Sequence, residues 1–540
     1  VNWKNWASSS YNRTIEPYYY GIKGGSYNPS NPTDYEIERL GTSGTDYLKT
    51  SDISKASDQT FYLDARVNYD RQFNLHHVTG MLMYMQREYR SSVLPERNQG
   101  FSGRFTYDYG QRYLVELNFG YNGTERLAKK ERFEFFPAVS LGWVISNEKF
   151  FEPMTKYIDN LKIRGSYGLV GSDETGLSAG AQHFLYIDQV SLNNIGFTTG
   201  VDMNYTLYGP LVTNYAVVNG GWERVKKLDI GIDLELFRQL TITADYFNEK
   251  RYNILLHREA WPESLGYYTA KPWSNKGKVD NWGIELSVNW RKEFTKDLYV
   301  DFRGNFTYTE NKYVNLDEPV YPYVWKTSTG KPLSRTTGYI AQGLFSSQEE
   351  IDNSPTQNLG STVKPGDIKY RDVNGDGKID GSDQVMISPY GTTPRIQYGL
   401  GMNVTYKKFD FGVFFNGSAK RTIMISGISP FGQSDYNVMQ FIADDYWSES
   451  NPNPNAKYPR LGLTSSQTAN NTVASTYWMR NGNFIRFKTL ELGYKFKYGR
   501  VYLNGDNIAV FSPFKLWDPE LSWNAYPLQR TFNIGVQLNF

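Results

Sequence analysis

The 540-residue chain has no cysteine and only four histidines, at 76, 77, 183 and 257. Without thiols it has no disulfide framework, no thiolate metal site and no cysteine nucleophile. His76 and His77 are adjacent and would point to opposite faces of a strand, and the other two show no metal-ligand spacing. Charge of one sign is lacking too, since 58 Lys and Arg face 56 Asp and Glu for a net +2. That balance leaves no electrostatic footprint for nucleic acid. No run approaches the roughly 18 consecutive apolar residues of a spanning helix, so a membrane role would need strands. No GxSxG, phosphate loop or zinc signature is found, and no linker divides the chain. What abounds is 43 Tyr, 31 Phe, 13 Trp and 48 Gly, a composition of strands and turns.

Residues 61 to 70 read FYLDARVNYD, with Phe61, Leu63, Ala65, Val67 and Tyr69 on one face and Tyr62, Asp64, Arg66, Asn68 and Asp70 on the other. This is the period of a strand with one apolar and one polar side. The alternation recurs at 101–109, 112–121, 161–170, 228–237, 240–252, 282–290, 298–308, 395–406, 409–417, 501–511 and 531–540. Less regular segments near 77–88, 137–145 and 484–498 bring the count to about fifteen strands.

Such strands suit a soluble sandwich or an outer-membrane barrel, and the connections decide. Lys407-Lys408, Gly499-Arg500 and Phe237-Arg238-Gln239 each sit between apolar residues that share a face, as hairpin register demands. Between the tight turns lie long excursions at 171–223, 253–278, 311–394 and 419–483. Short turns at one rim and long loops at the other is the layout of a transmembrane barrel with its long loops outside the cell. The fold class expected is all-β, a transmembrane antiparallel β-barrel. Tyr107, Tyr109, Tyr113, Phe119 and Tyr121 would join its interfacial girdles. The last strand, ending at Phe540 with apolar Phe532, Ile534, Val536 and Leu538, resembles the terminal strand of bacterial outer-membrane proteins.

An open sheet of about fifteen strands would leave unpaired backbone groups in lipid at several kcal/mol apiece. Single-chain bacterial barrels have even counts, and 22 strands is the plugged-transporter class. If the last strand is number 22 the first is number 8, running downward as the loop layout requires, with about seven strands expected before it.

Several motifs coincide with one family. The stretch YDYGQRYLVELNFGYNGTERLAKKERFEFFPAVSLGWVISNEKFF at 107–151 and LKIRGSYGLVG at 161–171 resemble the barrel of SusC-like, or RagA-like, TonB-dependent transporters of Bacteroidetes. So do PGDIKYRDVNGDGKIDGSD at 365–383, TPRIQYGLGMNVTYKKFDFGVFFNGS at 393–418 and NFIRFKTLELGYKF at 483–496. The resemblance implies integral placement in the outer membrane, in contact with its lipid. It also implies a signal peptide, a TonB-interaction segment, a plug and the first strands ahead of Val1. Residues 1–60 would then be mainly an extracellular loop, and 61–540 the C-terminal part of the barrel. A SusD-like surface lipoprotein would cap it as a lid and deliver oligosaccharide or peptide, and TonB would act through the missing N-terminal part.

Two sets of residues are candidate sites. Asp372, Asn374, Asp376, Lys378, Asp380 and Asp383 place side-chain oxygens at positions 1, 3, 5, 9 and 12 of a twelve-residue loop, with a backbone carbonyl at 7 and Gly377 at 6. That is the ligand spacing of an EF-hand-like calcium loop, with Asp383 replacing the bidentate Glu as in dockerin-type loops. The simpler reading is a self-stabilised Asn-Gly-Asp-Gly turn. The second set is a pool of loop aromatics: Trp222, Tyr267, Tyr268, Trp273, Tyr321, Tyr323, Trp325, Trp447, Trp478, Trp517 and Trp523. Flat rings beside polar groups suit sugars or peptides, and packing between loops would use the same residues. Asp229, Asp233, Glu235, Asp245 and Glu249 could supply a glycosidase pair, but a polar lumen explains them more simply. No catalytic residue is assigned. The function expected is active import of oligomeric nutrients, glycans or else peptides, against a passive porin-like channel or a barrel-borne surface binding protein or enzyme.

Overall fold

The computed structural model describes all residues except 26–34, 51, 92–94, 176–184, 218–219, 266–270, 426–437, 463–464, 522–524 and 540. Sixteen strands form one sheet in which neighbours in space follow chain order. They are β1 (Asn2–Ser10), β2 (Ser54–Phe73), β3 (His76–Arg90), β4 (Glu96–Tyr109), β5 (Tyr113–Thr124), β6 (Phe133–Val144), β7 (Ile158–Ser172) and β8 (Glu223–Leu236). Then follow β9 (Leu240–His257), β10 (Trp273–Thr295), β11 (Leu298–Asn315), β12 (Ile396–Tyr406), β13 (Phe409–Ala419), β14 (Phe484–Phe496), β15 (Gly499–Phe511) and β16 (Thr531–Leu538). All fifteen strands expected from periodicity are present, and all pairs are antiparallel.

Three boundaries differ from expectation. The strand β1 lies within residues read as mainly loop and pairs with the first half of β2, which starts at Ser54 rather than 61. The β14–β15 turn is Lys497-Tyr498, because Phe496 pairs with Gly499 and Tyr494 with Val501, so Gly499-Arg500 belongs to the strand. Strands β9 and β10 reach His257 and Trp273, which shortens the excursion expected at 253–278. The other two turns stand as read, with Tyr406 opposite Phe409 and Leu236 opposite Leu240. Phe237 and Arg238 fill the second with φ of 55° and 53°, the left-handed conformation that closes a three-residue loop.

Register sorts the side chains onto two faces. Tyr69, Gly80, Phe105, Leu117, Val139, Tyr167 and Leu228 stand in one row across β2 to β8, and Ile230, Tyr246, Ile284, Tyr308 and Ile396 continue the apolar face across β8 to β12. Many of these side chains are open on that face, including Leu82, Phe105, Leu117, Ile284 and Ile534. A band of exposed apolar residues this wide would aggregate in water and is at home in hydrocarbon. The opposite face carries Arg164, Gly231, Asp245, Glu285, Thr307 and Gln397 in a single row. Among the described residues no helix is long and apolar enough to cross a membrane.

Strands β9, β10 and β11 have 18, 23 and 18 residues, where about 10 suffice to cross lipid. Because tight turns anchor one rim, the excess projects on the long-loop side and walls a vestibule. Within the 171–223 excursion, Gln189–Thr199 and Tyr205–Asn214 form a separate hairpin. The 316–395 and 420–483 loops, joined by residues after β15, fold on one another. Their core holds Tyr339, Leu344, Ile368, Tyr370, Ile379, Ile423, Ile442, Trp447, Tyr458, Trp478 and Phe514.

Candidate functional site

The polar face of the sheet is a lattice of opposed charges. Arg164 on β7 lies 3.1 Å from Asp229, 3.3 Å from Asp233 and 2.6 Å from Asp245. Gly231 opposite it makes this cluster fit, since a Cβ there would come within 2.6 Å of the Arg164 guanidinium carbon and 2.2 Å of Asp245 Oδ1. Lys227 holds Glu249 at 2.8 Å, Arg104 holds Glu116 at 2.6 Å, and Arg500 bridges Asp410 and Glu491. Four of the five acids that might have formed a glycosidase pair are thus tied to cations. His77 meets Asp70 on this face at 2.8 Å, and His76 meets Tyr107 at 2.7 Å on the other. His183 lies outside the described residues.

On the part of this wall nearer the tight turns is a cavity of about 510 Å³ lined by Asn289, Arg303, Asn305, Gly399, Gly401, Asn403, Asp410, Phe414, Thr489, Glu491 and neighbours. Phe414 is 38% exposed. It sits on the polar face because Gly401 opposes it on β12 and Thr489 on β14. Register then shifts, with Phe415 opposite Phe487, so Lys488 is an extra residue in β14. The signal for this site was present in the sequence: Phe414 and Phe415 are adjacent, so one must leave the apolar face.

In the outer-loop unit many of the buried polar groups are paired, although Trp447 Nε1 finds no partner among the described residues. Asp367, with no exposed surface, lies 2.7 Å from the Arg460 guanidinium and accepts bonds from Asn471 Nδ2 at 2.7 Å and Lys364 N at 2.8 Å. Burial pushes its carboxyl up from the ordinary range while Arg460 pulls it back. Asn470 and Asn471 reach the 368 backbone, at Ile368 O (3.0 Å) and Ile368 N (2.8 Å), and Gln357 bonds Tyr370 N at 2.7 Å. The two long loops are therefore stitched together through side chain to backbone bonds.

Most of the aromatic pool serves this packing. Trp478 is 1% exposed and donates to Asn471 O at 2.6 Å. Trp447 is buried, with Gly366 lying against its ring. Trp517 packs against the same core and donates to Ala525 O at 2.9 Å. Trp222 is buried edge-on to Phe136, in a second cluster. Trp273 lies on His257 with ring centres 3.6 Å apart. Tyr323 and Trp325 stack at 4.8 Å and hold the 372–383 loop, through Asn374 Nδ2 to Tyr323 Oη (3.0 Å) and Trp325 Nε1 to Ser382 O (2.8 Å). Tyr321 is exposed. Tyr267, Tyr268 and Trp523 lie outside the described residues.

The acidic loop is held by its own amides. Asp372 accepts from Gly375 N (2.7 Å) and Gly377 N (2.8 Å), Asp376 from Lys378 N (2.9 Å) and Asp380 from Ser382 N (2.7 Å). Asn374 Oδ1 accepts from Asp376 N at 3.2 Å, and buried Asp383 from Val373 N (2.8 Å) and Asp380 N (2.9 Å). Gly375 and Gly377 take φ of 76° and 80°, which suits glycine and the tight turn. Lys378 pairs with Thr356 in a short parallel ladder. Among the described residues no three Asp, Glu, His or Cys converge as a cage for a metal.

Glu350 gives this unit a pH dependence. Its carboxylate accepts from Ser346 N (2.9 Å) and Oγ (2.7 Å) and from Lys369 Nζ (3.0 Å). Those bonds lower its pKa to about 2. A depressed acid contributes stability that is full above its unfolded value near 4.5 and is lost as pH falls towards 2. With the side chain 32% exposed, the contribution is on the order of 1 kcal/mol after screening. Glu350→Gln should therefore lower loop protection at pH 7 and make little difference at pH 2, as read by hydrogen exchange of residues 341–370.

Comparison with known proteins agrees with this architecture. The family model described as TonB dependent receptor-like, beta-barrel matches residues 2–508. TonB-dependent receptor P3 of Formosa agariphila is 25% identical over 478 residues, covering 81% of this chain and 45% of its own length. TonB-dependent receptor SusC of Bacteroides thetaiotaomicron is 27% identical over 469 residues, covering 82% of this chain and 43% of its own. The chain thus spans about half the length of the curated relatives it matches. The RagAB peptide importer in its open-open state has the same fold, with a TM-score of 0.66 at 18% identity over 90% of this chain and 55% of that one. These relatives are receptors and an importer, not enzymes. With a family match over nearly all of a sheet whose faces divide into lipid-facing and polar, the chain belongs to the TonB-dependent receptor-like β-barrel family of the bacterial outer membrane.

Proposed function

We propose that this chain forms most of the wall and outer vestibule of an active importer of oligomeric nutrients, glycans rather than peptides. The observation that carries the proposal is the polar wall, most of whose acids are held by cations, with an open cavity where amides, glycines and the Phe414 ring stand beside Arg303 and the Arg500-bridged pair Asp410 and Glu491. Amide and hydroxyl groups around a flat ring, with the nearby charges partnered, suit sugar hydroxyls and C–H faces. Peptide import is the second reading, favoured by the fold shared with RagAB, a peptide importer. The two open edges of the sheet would be closed in lipid by further strands of the full-length protein. A SusD-like lipoprotein would sit on the outer-loop unit as a lid, and TonB would energise transport through a plug. The chain itself would do no chemistry on its cargo.

Uptake in whole cells tests this. Growth on oligosaccharide that needs both the full-length protein and TonB is the expected result. Uptake that persists without TonB would instead mean a passive pore, and hydrolysis by the purified protein would mean an enzyme.

Calcium binding by the Asp372–Asp383 loop is a separate proposal and rests on ligand spacing. The self-bonded oxygens of the present arrangement weigh against a tight site, so binding would need those amide bonds to loosen. Calorimetry on chelated protein should show heat that Asp372→Ala with Asp376→Ala removes. No heat at millimolar calcium would leave the loop a turn.

A further inference from the structure

We propose that the lumen wall around Phe414 is a stacking subsite for one sugar ring of the cargo, an inference that rests on the glycan reading above. Phe414 is 38% exposed, and the residues of its own face that line the cavity beside it are charged, amide, hydroxyl or glycine. Phe247, on the same face, is instead tucked against Gly283, where a Cβ would come within 2.5 Å of its ring. The room beside Phe414 is built by two glycines of β12. A Cβ at Gly399 or Gly401 would press on the ring at 3.3 Å, so side chains there would tilt it or cover it.

Lys488, the extra residue of the neighbouring strand, breaks the ladder beside Phe414, since Phe414 faces Thr489 and Phe415 faces Phe487. Bulges of this kind re-aim side chains next to functional positions. Around the ring stand Asn289, Asn305, Asn403 and Thr489, each able both to donate and to accept. A pyranose offers an apolar C–H face and an edge of hydroxyls that do the same. The cavity volume of about 510 Å³ lies within the range of small-molecule sites. The carboxylates in the lining, Asp410 and Glu491, are bridged by Arg500, and Arg303 leans on Asp301 at 3.4 Å, so the charges beside the ring are partnered within the wall.

The test uses cells whose sole copy of the full-length protein is wild type, Phe414→Ala, Phe414→Leu or Phe414→Trp. They are offered maltoheptaose, laminarihexaose, xylohexaose and a casein digest as sole nutrient. On the oligosaccharide whose use requires the protein, Phe414→Ala and Phe414→Leu should raise the half-saturation concentration about tenfold at unchanged outer-membrane level, and Phe414→Trp should restore it. Leu keeps apolar volume without an aromatic face, so a variant that behaves like wild type would overturn the subsite and leave glycan import standing. Dependence on the protein only for the casein digest, or for none of the four, would overturn the glycan reading and the subsite with it.

Discussion

Trp478→Ala is expected to destabilise the outer-loop unit by about 3–5 kcal/mol, the cost of deleting a large aromatic from a packed core. The ring is 1% exposed and lies near Tyr458 and Tyr477, and its indole N–H is the bond that ends at Asn471 O. Removal leaves a cavity and a carbonyl without its donor. Asn471 in turn carries Asp367 and the Ile368 amide, so the damage should spread to the 341–370 segment more than a hundred residues away in sequence. Hydrogen exchange reads this directly. Amides of 339–370 and 470–478 should lose protection together, while β8 to β13 keep theirs. Unchanged exchange at 339–370 would mean that the two loops do not share one core.

The second large effect is expected at Arg486, on the outer part of β14. Its guanidinium is 2% exposed, with Nη2 at 2.6 and 2.8 Å from the Asp518 oxygens and Nε at 2.9 Å from Glu520. Replacing Arg486 leaves the mostly buried Asp518 without its partner, at about 3 kcal/mol, while the more exposed Glu520 adds less. Arg486→Met should free the 512–530 connection, seen as rapid proteolysis there with the barrel intact. Adding Asp518→Asn and Glu520→Gln should recover much of the resistance, because the stranded charges are then gone. If the triple variant is as labile as the single one, packing by the Arg486 stem matters more than its charge.

The strands were legible because one face meets lipid and the other polar groups, which forces a period of two in the sequence. The strand β1 was not, since NWKNWASSS has no apolar face and all nine residues are exposed. At the β14–β15 hairpin, moving the turn by two residues shifts the pairing by an even number and keeps every side chain on its own face, so alternation could not choose between Gly499-Arg500 and Lys497-Tyr498. Phe414 was legible in part, as one of two adjacent Phe in FDFGVFFNG. Gly401 opposite it follows from the two-residue turn at Lys407-Lys408, but the extra residue at Lys488 depends on register with a strand beyond the 420–483 loop and could not be read. The loop aromatics were the least legible. A Trp that fills a core and a Trp that faces a ligand have the same neighbours in sequence, and only the fold shows Trp447 and Trp478 inside.

The sheet has one face in lipid and the other on the lumen, and site-directed spin labelling reads this residue by residue. Single cysteines can be placed at 284 to 289 on β10 of the full-length protein, freed of any other cysteine, in outer-membrane vesicles, spin-labelled, and tested for access to oxygen and to a water-soluble nickel chelate. Labels at 284, 286 and 288 should respond to oxygen and those at 285, 287 and 289 to the chelate. Access that does not alternate, or that alternates with the opposite phase, would contradict the account.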